Sequence, residues 1–535
     1  MQQSGSVQTV DARPPGLVAT LRIPGVLLGM LGMLCIGIAV MTPGFVPNAS
    51  LDQIAPLRIL RSVLKYQVGR ALMAIGLALL IWAWLKLRPA RVPLLNHSWV
   101  LVLWSLPVLL APPIFSSDAF LYADQGWIIH QGLDPYEVGL TEAGGPFAIN
   151  VHKVWRGTTS IYPPFALLVQ YWVAVATGFQ GLISVIAMRI PILIAVAVIA
   201  AFVPMVARQL GADVQLAKWF AILNPLLLIH FVGGMHNDAM MVALVLVAIW
   251  CTLRFGTPGM IVGALLVGVG ATFKQPGIIA AFAIGLLPVA ARLKDLAPGR
   301  RLLVIIGRSL VSCGLAAASF TAVSLAIGFE FMGWRHAANI GELTWGMSPA
   351  SIVEQFIGPV LNWVGIRHGL LPFLSRVTTV LSVLMLGVLA WRYFFPDVWI
   401  GRRVRNHSVQ QVAGAELPET DRSWRDHPIR WLTWGFSAIA FSGAGYHVWY
   451  LLWGGIYVGM LRYPNRLFRA LIGVMILFIV VEGGLEYYGM RPIVGYLVGA
   501  ALGWIFWANS TRLQIVPEPA PEAETAEERP TAVVG

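Results

Sequence analysis

The chain has 535 residues, is 57% hydrophobic and only 12% charged, has a mean hydropathy of +0.73 and carries a formal net charge of +12. Soluble domains carry about 25% charged residues, so a chain this apolar cannot cover its own core and needs the bilayer as solvent. The positive charge does not mark a nucleic-acid binder, because the basic residues are scattered through short loops, a distribution that the positive-inside rule explains.

Residues 1–22 are polar and Pro-containing and read as a disordered cytoplasmic tail. The apolar run that follows is succeeded by further runs, so it reads as a start-transfer helix that stays. Spans are expected at 24–45, 68–87, 98–115, 183–207, 216–232, 238–254, 258–273, 276–293, 302–327, 371–394, 431–445, 447–461, 468–486 and 492–508. Together with the apolar piece 162–178 they predict an all-α polytopic membrane protein of about 13–15 transmembrane or partial helices. Residues 23–510 form one transmembrane domain, and 511–535, rich in Pro, Glu and Ala, read as a second disordered cytoplasmic tail. Cys35, Cys251 and Cys313 all fall within spans, which excludes a disulfide framework and a Cys-rich zinc site.

Loop charges set the orientation. Lys86, Arg88 and Arg91 follow the second span, and Arg292, Lys294, Arg300 and Arg301 follow the eighth. Arg402, Arg403, Arg405, Arg422, Arg425 and Arg430 crowd the linker 395–430, and Arg462, Arg466 and Arg469 form a further cluster. Placing these in the cytoplasm puts both termini inside, and puts outside the island 116–160, the "GGMHND" turn, the island 328–370 and the turn at Tyr446 and His447. That topology permits one crossing between Ser160 and Arg208, so 162–178 is expected to be a partial or re-entrant helix packed in protein. Arg58, Arg61 and Lys65 break the charge rule, and their i, i+3, i+7 spacing suits headgroup contact or an interfacial helix.

The outer island opens with "PPIFSSDAFLYADQGWIIHQGLDPYEVGL", residues 112–140. Ser116, Ser117 and Asp118 can cap a short helix that Gly132 ends. Asp118 directly follows a span, Asp124 lies within two turns of it, and Tyr122, Trp127 and Tyr136 surround them. A carboxylate among aromatics at a membrane face suits a hydroxylated substrate carried on a lipid. Trp334 and Trp345 of the other large island serve as interfacial anchors or stack on sugars.

The stretch resembles the first loop of type C glycosyltransferases, the integral membrane enzymes that use polyprenyl-phosphate sugars. More closely it resembles the actinobacterial polyprenol-phosphate-mannose-dependent α-(1→6)-mannopyranosyltransferase A/B family. Its pattern is met by Asp118, Tyr122, Gly132, Asp134, Pro135 and Tyr136, followed by "YPPF" (162–165), "NPLLLIHFVGGMHNDAMM" (224–241), "KQPG" (274–277) and "YHVWYLLWG" (446–454). The likeness spans most of 100–460. "GAGYH" stands where a Pro-rich turn is expected and Gln275 where a smaller residue is usual, which leaves the acceptor preference open.

The resemblance implies a type C glycosyltransferase-like bundle in the plasma membrane. It would move mannose from polyprenyl-phosphate mannose to the α-(1→6)-mannan core of a lipid-anchored lipomannan or lipoarabinomannan-type acceptor, at the extracytoplasmic face. A β-linked donor giving an α-linkage inverts in one displacement, so one carboxylate, Asp118, takes the acceptor proton. The leaving phosphate needs positive charge rather than a proton, which points to Lys274, Arg335 and His336. Tyr122, Asp124, Tyr136, His236, Asn237, Asp238 and His447 are the expected substrate contacts. Bland readings stand beside these: Asp118 and Asp238 as helix caps, His236 as a turn residue, Arg335 reaching headgroups. The carboxylates and histidines match no strong metal motif, and a divalent cation stays open. The expected partners are the polyprenyl-phosphate mannose donor, the lipid-anchored mannoside acceptor and membrane lipids, with no nucleic acid. Alternatives are a flippase or transporter of polyprenyl-linked sugars, an arabinosyl or other sugar transferase of the same fold, and a non-catalytic scaffold. A transporter would show a polar path and repeated halves. Here the polar residues gather at one face, with Arg189 and few others deep inside.

Overall fold

The computed structural model describes residues 14–42, 58–59, 62–64, 66–337, 347–365, 370–400, 419–442 and 445–516. Among the described residues every regular element is helical. The longer helices are α1 (Pro24–Val40), α2 (Tyr66–Lys86), α3 (His97–Ser105), α4 (Asp118–His130), α5 (Pro164–Ala176), α6 (Arg189–Gln209), α7 (Val214–Ile222), α8 (Asp238–Ala271), α9 (Pro298–Ile327), α10 (Pro349–Trp363), α11 (Leu370–Phe394), α12 (Glu419–Ala440), α13 (Asn465–Tyr488) and α14 (Pro492–Asn509). Eight stretches among the described residues are long and apolar enough to cross a bilayer, nine if the bent pair of α7 and the π-helical turn Leu227–Gly233 is one span. On α11 the side chains of Val380, Leu381, Val383 and Leu384 face outward, an arrangement that suits a lipid surround. The chain is an all-α polytopic membrane protein.

Several expected spans are interrupted where the chain builds the site. The run 98–115 is helical only from His97 to Val108, including a final 3₁₀ turn, and then unwinds towards Asp118. The 13 residues of α5 rise about 20 Å, short of the roughly 30 Å of hydrocarbon, so this helix does not cross by itself. It packs on α4, where a Cβ on Gly126 would lie 2.8 Å from the Ala174 methyl. The expected pair 238–254 and 258–273 forms the two arms of α8. Gly256, at φ 62° and ψ −130°, reverses the chain there. A Cβ on Gly263 would meet Ala248 O at 2.9 Å, and one on Gly270 would meet Leu244 Cβ at 3.4 Å, so the arms lie side by side. Folding back in this way returns Lys274 to Asp238.

Close packing holds the scaffold. Gly32 of α1 and Gly76 of α2 let backbones touch, since a Cβ on Gly76 would lie 2.7 Å from Gly32 O, the small-residue contact favoured between membrane helices. Trp84 and Trp219 stack at 4.3 Å, and each indole N–H donates to the other's carbonyl, at 3.1 and 2.8 Å. At the tails, Leu17–Leu21 form a helical turn and Ile515 is buried, so ordered structure extends into both stretches read as tails. Within the expected linker, Pro396–Ile400 and the start of α12 are helical. The stretches 1–13 and 517–535, with Arg61, Lys65, Trp345, Arg402, Arg403 and Arg405, lie outside the described residues.

Arg189 is a buried cation of this scaffold. Its Nε donates to Val232 O at 2.8 Å, its Nη2 to Ala111 O at 2.9 Å and Gly233 O at 3.3 Å, and its Nη1 to Leu109 O. The guanidinium therefore ties the unwound lead-in to Asp118 to the lead-in to His236, and Ile114 N–H adds a bond to Gly233 O at 3.2 Å. Hydrogen bonds to a charged group contribute about 1.5–3 kcal/mol each. Arg189→Lys, which keeps charge but loses the planar fork, is expected to lower the thermal midpoint of the detergent-solubilised protein, and Arg189→Met more so. A lysine variant that melts with the wild type would refute this role.

Candidate active site

Asp118 is the first residue of α4, and Ser117 occupies the N-cap position without a side-chain cap. The Asp118 N–H donates to Ser116 Oγ at 3.0 Å. The carboxylate is thus not a cap. Its side chain is 15% exposed, enough for a substrate atom to reach it. Three groups converge on Oδ2: the Tyr162 hydroxyl at 3.2 Å, the Tyr122 hydroxyl at 3.3 Å and His236 Nδ1 at 3.3 Å. The Tyr122 hydroxyl also lies 3.5 Å from Asn237 Oδ1. Asn237 Nδ2 in turn donates to Phe273 O at 3.3 Å, joining the "HND" turn to the residue before Lys274. His236 is buried and stacks on Trp449 at 3.5 Å, and His447 stacks on the same indole at 4.3 Å.

Asp238 begins α8 but does not cap it, since both its oxygens have side-chain partners. Oδ1 accepts from Trp453 Nε1 at 2.7 Å, and Oδ2 lies 3.5 Å from Lys274 Nζ. Lys274 is held between two rings, 5.3 Å from the Tyr162 centroid and 5.1 Å from that of Tyr450, distances at which a cation is attracted to the ring face. Burial pushes the Asp118 carboxyl up, but the hydrogen bond and charge of His236, then His447 and Lys274, outweigh it and hold the group below the usual carboxylate range. Burial disfavours the Lys274 ammonium, yet Asp238, Tyr450 and Asp118 overcome this and raise its pKa. Burial lowers His236 in spite of Asp118.

Two of the expected substrate contacts, Asp124 and Tyr136, are buried and bonded to neighbouring backbone. Asp124 is fully buried, its Oδ1 accepts the Phe147 N–H at 3.1 Å, and Oδ2 finds no hydrogen-bond partner. It packs so closely on Gly145 that a Cβ there would lie 1.9 Å from Oδ1. Tyr136 is 2% exposed and donates to Tyr162 O at 2.8 Å. Asp134 Oδ1 shapes its turn by accepting the Tyr136 N–H at 2.8 Å. Gln275 Nε2 donates to Ile161 O at 2.9 Å, so two side chains fix the backbone around Tyr162. Arg335 is exposed on the 3₁₀ turn Gly333–His336, and the structure does not bring it to Asp118. The His336 side chain lies outside what is described. Among the described residues no three His, Cys, Asp or Glu side chains gather as metal ligands.

The sequence reading did not place Tyr162, Trp449, Tyr450 and Trp453 in the site. Each lies in a quoted motif, "YPPF" or "YHVWYLLWG", so the signal was present, but only packing separates site aromatics from membrane anchors.

Residues 26–290 match the family model described as "Alpha-(1->6)-mannopyranosyltransferase, N-terminal domain". The chain is 29% identical over 374 residues to alpha-(1→6)-mannopyranosyltransferase A of Mycobacterium tuberculosis, covering 67% of this chain and 71% of that one. It is 27% identical over 414 residues to a probable alpha-(1→6)-mannopyranosyltransferase of Mycolicibacterium smegmatis, covering 69% and 71%. To alpha-(1→6)-mannopyranosyltransferase B of Corynebacterium glutamicum it is 25% identical over 513 residues, covering 89% and 80%. No solved structure matches.

Burial raises the Asp124 carboxyl to about 7, from an ordinary 3.8, against the smaller opposing effect of the Phe147 N–H. A carboxyl whose folded pKa is raised favours the fold in its protonated form. The contribution is complete below pH 3.8 and is lost as pH rises towards 7. The melting temperature of Asp124→Asn should therefore gain on that of the wild type between pH 5 and pH 8. Parallel curves across that window would contradict the assignment.

Proposed function

We propose, from the match of residues 26–290 to the N-terminal domain model of the alpha-(1→6)-mannopyranosyltransferases, that the chain is a plasma-membrane mannosyltransferase using polyprenyl-phosphate mannose, with Asp118 as general base at the extracytoplasmic face. The acceptor is the α-(1→6)-mannan core of a lipid-anchored glycolipid. The observation that carries the reading is the convergence of Tyr122, Tyr162 and His236 on one oxygen of a partly exposed carboxylate at the end of a broken span. Three contacts on Oδ2 orient the carboxylate.

The reaction is a single inverting displacement. The acceptor hydroxyl attacks the anomeric carbon, its O–H bond breaks towards Asp118, and the bond from the sugar to phosphate breaks with its electron pair on phosphate. A base held ionised by neighbours is weakly basic, and the best base has a pKa near the working pH. The donor resolves this, because its phosphate brings negative charge next to Asp118 and raises its proton affinity as attack begins. Lys274 supplies charge for the leaving phosphate. The exposed Arg335, on the turn Gly333–His336, is the further cation proposed to meet the phosphate once the donor is bound. In this reading 23–510 is a single catalytic membrane domain and the island 116–160 forms its active face.

General-base removal costs about 10²–10⁴-fold. Asp118→Asn in proteoliposomes with labelled polyprenyl-phosphate mannose should lose transfer by such a factor while its melting temperature holds. Normal transfer by that variant would eliminate Asp118 as the base. Orientation has its own test. In a cysteine-free background, Gln131→Cys at the exposed end of α4 should react with an impermeant maleimide in intact cells. Arg300→Cys should react only after permeabilisation. The reverse pattern would place the site in the cytoplasm.

A further inference from the structure

The reaction as described uses nothing from α13, yet α13 carries a buried acid within an apolar span. Glu482 is 2% exposed and lies inside the candidate span Asn465–Leu485. Its Oε2 is 3.1 Å from Nε2 of His230, which is itself fully buried, although neither atom is aligned for an ideal hydrogen bond. An ionisable group at membrane depth is costly and is retained for function or paired by design. Here both partners point towards the site. His230 sits in the π-helical turn Leu227–Gly233, a geometry that recurs at functional sites. Its ring lies 5.9 Å from that of His236 and 5.7 Å from that of Trp449. Those two rings stack on each other at 3.5 Å, and His236 Nδ1 meets Asp118 Oδ2 at 3.3 Å. An unbroken series of contacts thus runs from Glu482 to the carboxylate.

We infer that Glu482 is a positioning residue for the transfer reaction: by holding His230 it sets the His236–Trp449 stack, and through that stack the face of His236 that orients Asp118. This rests on the reading of Asp118 as the base. The groups that face the series are few. Glu482 meets His230, and its charge is felt by the buried Tyr446 phenol, which Tyr496 of α14 also influences. Arg70 of α2 lies over the Tyr488 ring at 5.4 Å, beyond the end of the span. His230 faces Glu482, His236, Trp449 and Phe115. Asp118 faces His236, Tyr122 and Tyr162, with the charges of His447 and Lys274.

The test uses the full chain in proteoliposomes with polyprenyl-phosphate mannose and a synthetic α-(1→6)-linked mannoside acceptor. Glu482→Gln is expected to lower kcat about 10- to 100-fold, the cost of small misplacement, with KM for the donor unchanged. Removing the negative charge should also move the acid limb of the pH–rate profile to lower pH. Glu482→Asp, which keeps the charge, should keep the wild-type limb. The double variant with His230→Gln should lose no more than the worse single variant, as for groups acting in one series. A wild-type kcat and profile in Glu482→Gln, or additive losses with an unmoved acid limb, would overturn the inference. Should Glu482→Gln fail to fold, His230→Gln is judged by the same acid limb. An inactive wild type, or an active Asp118→Asn, would instead sink the reading of the site itself.

Discussion

Four backbone carbonyls bound to one buried guanidinium decide where the chemistry of this protein can lie. Arg189 gathers Leu109, Ala111, Val232 and Gly233, and each of these sits just before a functional turn. Unwound backbone at membrane depth leaves polar groups that lipid cannot satisfy. A residue with five donors in a fixed fork can satisfy several at once. Arg189 lies between the two broken helices and satisfies carbonyls that their unwinding leaves. The broken ends then present Asp118 and His236 to each other. The charge deep in the bundle is therefore part of the scaffold.

The second constraint is electrostatic. Two carboxylates, Asp118 and Asp238, stand close to one ammonium, and they are kept distinct by their partners. Asp238 is anchored by the Trp453 indole and Lys274. Asp118 is anchored by phenols and an imidazole, and of the two it is the one that remains partly exposed. Buried charges need partners and hydrogen bonds to persist, and both acids have them. The arrangement separates a carboxylate that holds the cation from one that can exchange a proton. An arriving phosphate would meet Lys274 in a dry environment, where attraction is far stronger than in water.

The aromatic residues serve two ends. Trp84 with Trp219, and Trp104 with Val26 O at 2.8 Å, close the scaffold away from the site. Tyr162, Tyr450 and Trp449 instead pack against the charged groups. The DPY turn, which reads as a sugar-binding feature, supports Tyr162 through the Tyr136 hydroxyl. Gln275, an unusual residue for its motif, supports the same segment. Much of what looks like substrate recognition in the outer island is thus the framework that aims one tyrosine at one carboxylate.

Hydropathy and charge are carried residue by residue, so the sequence by itself determined the membrane class, the helical character, the turn near Gly256, the shortness of the 162–178 helix and the run of motifs from Asp118 to Trp453. Each follows from local chemistry: apolar length against bilayer thickness, proline and glycine against helix continuation. What it left undecided is which polar side chains meet. Asp118 and Asp238 both read as acids at helix starts, and only the fold gives one to Lys274 and the other to His236. Asp124 and Asp118 lie six positions apart on one helix, yet one is sealed under the Phe147 loop and the other stays partly exposed. Glu482 lies in a span with no motif around it, so nothing local distinguishes it from an isolated charge. Its pairing with His230, across more than two hundred residues, exists only once the helices have packed, because an apolar surround makes each the other's nearest available polar partner.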